Sequence, residues 1–522
     1  MALPLAPRRS DPPPRVVVGE IRPRVDCGSR PAKAAVGEAV PVRARIFADG
    51  RLRLRARGRL LPQGLTGGWS AARTFPLAPL ADDWWEGHMF PESLGAWHFR
   101  LEAWEDRFGT WCDDVARRLA GGIDPTPELG EGWALVHQAA RRLPKEEGRS
   151  LKLAATGAEG AGPDRELAFL LDAGLQSLLA TVVWSPVTIS PPQPIWVERP
   201  RALFGSWYEL FARSQGSDGL HPGSLSAVAD RLPHLASLGF DVLYLTPIHP
   251  VGVTGRRGRN NAAVALPGDP GSPWAIGSDK GGHMDVDPEL GTAEDFRRLL
   301  SRAAEVGMEV AMDYALQCSR DHPWVKEHPD WFRRRPDGSI RPAENPPKRY
   351  DDIYPLDFSC RDWRGLWAAC YEILDHWARQ GVRIFRVDNP HTKPVPFWEY
   401  LVGRLRLEHP EAILLAEAFT APAMMRELAK VGFSQSYTYF TWRQTKDELV
   451  AYGRELAEDT ADYLRPNFFV NTPDILTAQL QEGGEGAFRS RLLLASTLSS
   501  SYGIYSGFEH LERAALRPGS EE

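Results

Sequence analysis

The spacing of apolar residues changes character twice along the chain. Over 40–46 apolar and polar residues alternate, interrupted at Pro41, and Ala48-Asp49-Gly50 reads as a turn. Trp97-His98-Phe99-Arg100-Leu101-Glu102-Ala103 alternates without a break. A period of two between turn signals predicts half-buried antiparallel strands, so residues 16–108 are read as an N-terminal, Ig-like β-sandwich. Over 109–190 the period becomes helical, most clearly at 135–142 and 165–179, which predicts a small helical segment. Ser190-Pro191-Pro192-Gln193-Pro194 then punctuates the chain, and the main boundary is placed there.

Beyond residue 195, short apolar runs alternate with amphipathic stretches. The runs fall at 241–247, 309–315, 382–388, 412–419, 467–471 and 502–505, with weaker ones at 207–211 and 436–440. Between them, Phe296, Leu299, Leu300, Ala303 and Ala304 share one helical face, as do Trp367, Cys370, Tyr371, Leu374 and Ala378. Eight runs separated mostly by helices predict an α/β fold, a (β/α)8 TIM barrel over 195–522. The polar, Pro-rich stretch 316–357 after the third run is too long for an ordinary connection and reads as a functional excursion.

Composition narrows this picture only slightly. A formal net charge of −6 argues against a dedicated nucleic-acid or membrane surface. Five cysteines without a CxxC pair suit reduced thiols, hence a cytoplasmic setting, better than disulfides or a zinc site. The Pro- and Arg-rich residues 1–15 read as a disordered leader, and no apolar run is long enough to span a membrane.

In such a barrel the reacting groups lie at the C-terminal ends of the strands. The acids there are Asp313, Asp388, Glu417 and, just past the seventh run, Asp474. One carboxylate at a strand end is often a helix cap or loop anchor, and four on one rim is harder to explain that way. Arg386 and Asp388 are two apart on one strand and point to one face, so the guanidinium should keep Asp388 ionised, as a nucleophile requires. Glu417 lies within an apolar run, which favours the neutral form of a proton donor. Two such carboxyls about 5–5.5 Å apart would perform a double displacement with retention. Asp279, Asp285 and Asp287 lack the spacing of a calcium loop, and no metal or cofactor is expected. His249 and His391 could line a sugar site or be hydrogen-bonded core residues, while His283 reads as a loop anchor.

Four ordered segments carry a family resemblance: Asp313-Tyr314-Ala315-Leu316-Gln317-Cys318, Phe385-Arg386-Val387-Asp388-Asn389, Leu414-Leu415-Ala416-Glu417-Ala418 and Phe469-Val470-Asn471-Thr472-Pro473-Asp474. They resemble the signature regions of the α-amylase superfamily. By that resemblance Asp388 is the nucleophile, Glu417 the acid/base, Asp474 the third carboxylate and Arg386 the support of the nucleophile. Gln317-Cys318 and Pro473 replace the Asn-His pair and the His of a typical α-amylase. They match instead the maltosyltransferases that extend α-1,4-glucans from α-maltose 1-phosphate. So do the segments 204–211, 246–250, 258–261, 343–350, 389–394 and 502–507.

The resemblance implies a phosphate site on Arg257, Gln317, Asn345, Lys348, Tyr350 and Asn389, with Arg257 where the family usually has Lys. Asp287 stands where the family often has His. The implied partners are α-maltose 1-phosphate, a maltooligosaccharide or α-1,4-glucan acceptor, and a second copy in a homodimer. Two other readings stay open: a hydrolase or transglycosidase of the same superfamily, and an inactive glucan-binding relative. The second arises because only fifteen residues follow Gly507. The sequence is therefore expected to lack a final barrel helix and the C-terminal β-domain that the resemblance implies.

Overall fold

The computed structural model describes residues 15–184, 186–216, 222–345 and 348–522, without the side chains of Asn345 and Lys348. The predicted leader, Arg15 apart, lies outside these residues. The chain divides into two compact units, one mostly from residues up to Ile195 and one from Trp196–Glu522, the latter also including Ala32–Val36 and Ser93–Gly95.

In the first unit, Val16–Arg22, Val40–Ala48, Trp84–Met89 and Ala78–Pro79 form one antiparallel sheet. Gly95–Glu105, Leu54–Pro62 and Arg73–Pro76 pair antiparallel in another. The alternation at 40–46 is realised, with Val40, Val42, Ala44 and Ile46 all buried. Five helices follow between Arg107 and Leu179, packed around Trp111, Trp133, Val136 and Leu151. The helix expected over 165–179 is two, Pro163–Leu170 and Ala173–Leu179. Asp172 divides them, because its carboxylate accepts from the Leu175 N–H and starts a new helix there.

The second unit is a closed barrel of eight parallel strands: β1 Gly205–Leu210, β2 Val242–Leu245, β3 Glu309–Tyr314, β4 Ile384–Val387, β5 Ile413–Ala416, β6 Gln435–Tyr437, β7 Pro466–Phe469 and β8 Ser501–Tyr505. Every predicted run overlaps one of them. The helices between include α1 Leu225–Ser237, α2 Ala293–Glu305, α3 Trp363–Arg379, α4 Val395–Glu408, α5 Pro422–Val431, α6 Lys446–Arg454 and α7 Gly484–Leu498. Helix α2 starts on a reciprocal cap between Thr292 and Asp295. After β8 the described residues carry one short 3-10 turn, Phe508–His510.

Period-two alternation sorts the strand side chains. Leu243, Leu245, Val310, Met312, Phe385, Val387 and Leu414 face outward and join the helices in the main core. Trp207, Val242, Ala311, Ile384, Ile413, Leu415 and Phe469 fill the barrel interior. On the same inward face, nearer the C-terminal strand ends, stand Glu209, Tyr244, Asp313 and Arg386, all buried. The excursion folds partly into two small antiparallel ribbons, Gln317–Ser319 with Ile353–Pro355 and Ala343–Asn345 with Lys348–Tyr350.

Candidate active site

Arg386 organises the site. It lies opposite Asp313 in the β3–β4 register, and its guanidinium is the hub of three carboxyl contacts. Nη1 stands 3.1 Å from Asp313 Oδ2 and 2.8 Å from Asp388 Oδ1, and Nη2 is 2.9 Å from Glu417 Oε1. The Tyr244 and Tyr437 rings flank it at 5.6 and 5.8 Å. Asp313 also accepts from the Tyr244 hydroxyl at 2.5 Å and the Trp274 indole N–H at 3.3 Å.

The strand ends position the two central acids. The Asp388 N–H donates to Tyr314 O and the Glu417 N–H to Val387 O, so the ladder reaches one residue beyond β4 and β5. Asn389 then takes a left-handed conformation (φ 42°, ψ 54°). Its N–H donates to Glu417 Oε2 at 3.3 Å. A non-glycine residue held in that region is a strained choice, typical of functional turns. Lys393, buried, donates from Nζ to Asp388 O at 3.2 Å and Asn389 O at 3.1 Å.

Burial and charge split the acids. Burial raises the Asp388 carboxyl, but Arg386 and Lys393 outweigh it and hold the group below its ordinary value, so it is ionised. Glu417 is pushed up to about 8 by burial and by the Asp388, Asp474 and Asp313 charges, with Arg386 opposing. Its surroundings are thus not the apolar pocket that its sequence run suggested. The aliphatic residues of that run line the barrel wall, and the carboxyl itself sits among charges. Asp313 rises to about 7, first through burial, against Arg386.

The sequence reading missed Glu209 on β1. It is buried, its Oε2 has no hydrogen-bond partner among the described residues, and burial raises it well above the usual range. Its inward position followed from lying two residues after Trp207. Lys393 was also passed over, although it lies in a segment that carried the resemblance.

Asp474 lies in a tight turn closed by Thr472 and Ile475, and its N–H donates to Thr472 Oγ1 at 3.3 Å. It is exposed, and its charge reaches Glu417. Of the implied phosphate residues, Asn389 is in contact with the acid pair. Gln317 Nε2 lies 3.5 Å from the Trp274 carbonyl. Arg257 Nη2 donates to Arg349 O, next to Tyr350 on the second ribbon. Asn345 and Lys348 lie on the same ribbon, and their side chains lie outside the described structure.

His283, Cys318 and His322 are buried with their ligand-type atoms within 4.8 Å of one another. Their hydrogen bonds already account for the ring nitrogens. His283 Nε2 donates to Ala315 O, its Nδ1 accepts from His322 Nε2, and His322 Nδ1 accepts from the Trp324 N–H. A metal on His322 Nε2 would require a proton on Nδ1 and would break that last bond. Burial lowers His322 to about 3 and keeps the Cys318 thiol protonated. The group therefore acts as a neutral anchor beside Gln317. His249 is also buried and neutral, lowered to about 4 and bonded through Nδ1 to Asp285 O.

The profile of the α-1,4-glucan:maltose-1-phosphate maltosyltransferase domain N/S matches residues 14–199, and that of the α-amylase catalytic domain matches 208–365. The α-1,4-glucan:maltose-1-phosphate maltosyltransferase 2 of Streptomyces coelicolor is 49% identical over 97% of this chain and 76% of its own length. The maltosyltransferase of the same name from Pseudomonas aeruginosa is 47% identical over 98% of this chain and 76% of its own. That of Rhodospirillum rubrum is 46% identical, over 97% and 76%. A (β/α)8 barrel with three carboxyls on one arginine, together with identities of this order along nearly the whole chain, places the protein in the α-1,4-glucan:maltose-1-phosphate maltosyltransferase family of glycosyltransferases.

Proposed function

We propose that the protein transfers a maltosyl unit from α-maltose 1-phosphate to the non-reducing end of an α-1,4-glucan, with release of phosphate. The opposite displacement of two carboxyls on one guanidinium, Asp388 held down and Glu417 pushed up to about 8, supports a double displacement, and identities of 46–49% to maltosyltransferases over nearly the whole chain support the donor and acceptor.

Asp388 attacks C1 of the maltosyl unit and the C1–O bond to phosphate breaks, giving a β-maltosyl ester. Phosphate is a good leaving group and needs little protonation, so Glu417 assists rather than drives departure. Once Asp388 is esterified its charge is gone. The like-charge push on Glu417 falls, and its pKa drops towards that of a base. Glu417 then removes the proton of the acceptor 4-hydroxyl, which displaces Asp388 and restores the α configuration after two inversions. Asp474 holds sugar hydroxyls at the rim. Arg257, Gln317, Asn345, Lys348, Tyr350 and Asn389 supply donors and positive charge to the phosphoryl oxygens.

The test is phosphate release from α-maltose 1-phosphate with and without a maltooligosaccharide. Acceptor-dependent release, with products longer by two glucose units, is expected. Asp388→Ala should lower the rate by about 10⁴-fold or more, and Glu417→Ala should accumulate a maltosyl-enzyme visible by intact mass. Turnover by Asp388→Ala at the parent rate would sink the assignment.

A further inference from the structure

Arg257 departs from the lysine that the sequence resemblance leads one to expect, and its surroundings suit the change. It lies in the connection between β2 and α2, with its side chain only 16% exposed. One nitrogen, Nη2, donates to the Arg349 carbonyl. Its Nε faces Asp352 Oδ1 at 3.6 Å, too long for a hydrogen bond but close for an ion pair.

Asp352 is the more unusual member. Its side chain is 3% exposed, neither carboxylate oxygen has a hydrogen-bond partner within 3.5 Å among the described residues, and burial raises the carboxyl against its own backbone N–H and Arg257. Its neighbour Asp351 is occupied, with Arg349 at 2.7 Å and Arg320 at 3.7 Å. A carboxylate buried for the sake of the loop alone would be expected to accept backbone N–H groups, since an unpaired buried charge is destabilising. Asp352 instead faces the edge of one guanidinium. A lysine ammonium binds phosphate as a point charge and needs no orientation. A guanidinium binds it through a planar fork, and the plane must be set from behind. Arg349 O fixes one nitrogen and Asp352 faces another, which together define that plane.

We infer that Asp352 is a positioning residue that orients the Arg257 guanidinium to receive the phosphoryl group of the donor. This deepens the proposed function and rests on it for the identity of the donor.

The experiment measures inorganic phosphate binding by calorimetry, and KM and kcat with α-maltose 1-phosphate, for the parent, Asp352→Asn, Arg257→Ala and the double variant. Asp352→Asn is expected to weaken phosphate binding and raise the donor KM by about tenfold, the scale of one charge-assisted contact. The acceptor KM should stay within about twofold, because only the phosphate-binding group is disturbed. In the Arg257→Ala background, Asp352→Asn should add nothing. Asp352→Glu, which keeps the charge, should recover part of the loss. Additive effects in the double variant overturn the inference, as does an equal loss in acceptor KM and kcat, which marks Asp352 as a loop anchor. An Asp352→Glu protein as weak as Asp352→Asn overturns it as well. A parent that shows this coupling with inorganic phosphate but releases none from α-maltose 1-phosphate supports the role of Asp352 and removes only the reaction assignment.

Discussion

One guanidinium serving three carboxyls cannot neutralise them all, and that shortage distributes the protons. Asp388 has the 2.8 Å contact to Arg386 Nη1 and the additional field of Lys393, so it keeps its charge. Glu417 and Asp313 hold protons up to about 8 and about 7. Glu417 assists donor cleavage in its protonated form, so kcat/KM should decline in part, not to zero, as pH rises through about 8. Asp313 contributes to the rise through its own charge. Asp313→Asn removes that charge while keeping an oxygen for Tyr244 and Arg386, so the basic limb should move down, by about one unit at most. A limb that stays in place, measured over pH 6 to about 9.5, would show that Asp313 and Glu417 do not share a field.

At the level of elements, the barrel depends on small residues where large ones converge. Gly503 on β8 faces inward, and a Cβ there would come within 2.5 Å of the Phe469 ring. That ring is buried and packs on Tyr437 at 4.5 Å between centroids, with Trp207 at 6.3 Å. Gly503→Ala must displace part of this layer and should lower stability by about 1–3 kcal/mol, read from the urea midpoint. The same layer explains what was legible in the sequence. The barrel strands are buried on both faces, so they could be found as short apolar runs, and the period of two put Arg386 and Asp388 on one face. Asp172 was harder to place, because a capping side chain restarts a helix without breaking its apolar period. The partners of Arg257 were not legible at all. The contact with Arg349 joins residues 92 apart, from an irregular segment to a three-residue ribbon strand, and no local period encodes such a path.

On the scale of the whole molecule, the net charge hides one enclosed amine. Lys33 belongs to the short segment Ala32–Val36 that is part of the barrel unit. Its N–H donates to Asp462 O and its Nζ to Phe433 O, so it joins positions 400 residues apart. Burial lowers it to about 7; the Glu198 charge opposes this, and Arg465 and Arg406 reinforce it. In the unfolded chain the same amine titrates near 10.5. Between these two values the unfolded state holds a proton that the folded state has released. Stability from this group therefore rises with pH through that window, with a limiting slope of about 1.4 kcal/mol per pH unit. Other groups titrate over the same range, so the informative quantity is the difference from Lys33→Met, which cannot ionise. The parent should gain stability relative to that variant between pH 7 and about 9.5, followed by denaturant unfolding at each pH. A difference that stays flat would mean that Lys33 is charged in the fold, with Glu198 outweighing its burial. A difference that rises would show that Lys33 sheds its proton in the fold, opposite in sense to Glu417 and Asp313, whose raised carboxyls lose stability as pH rises towards about 8 and about 7.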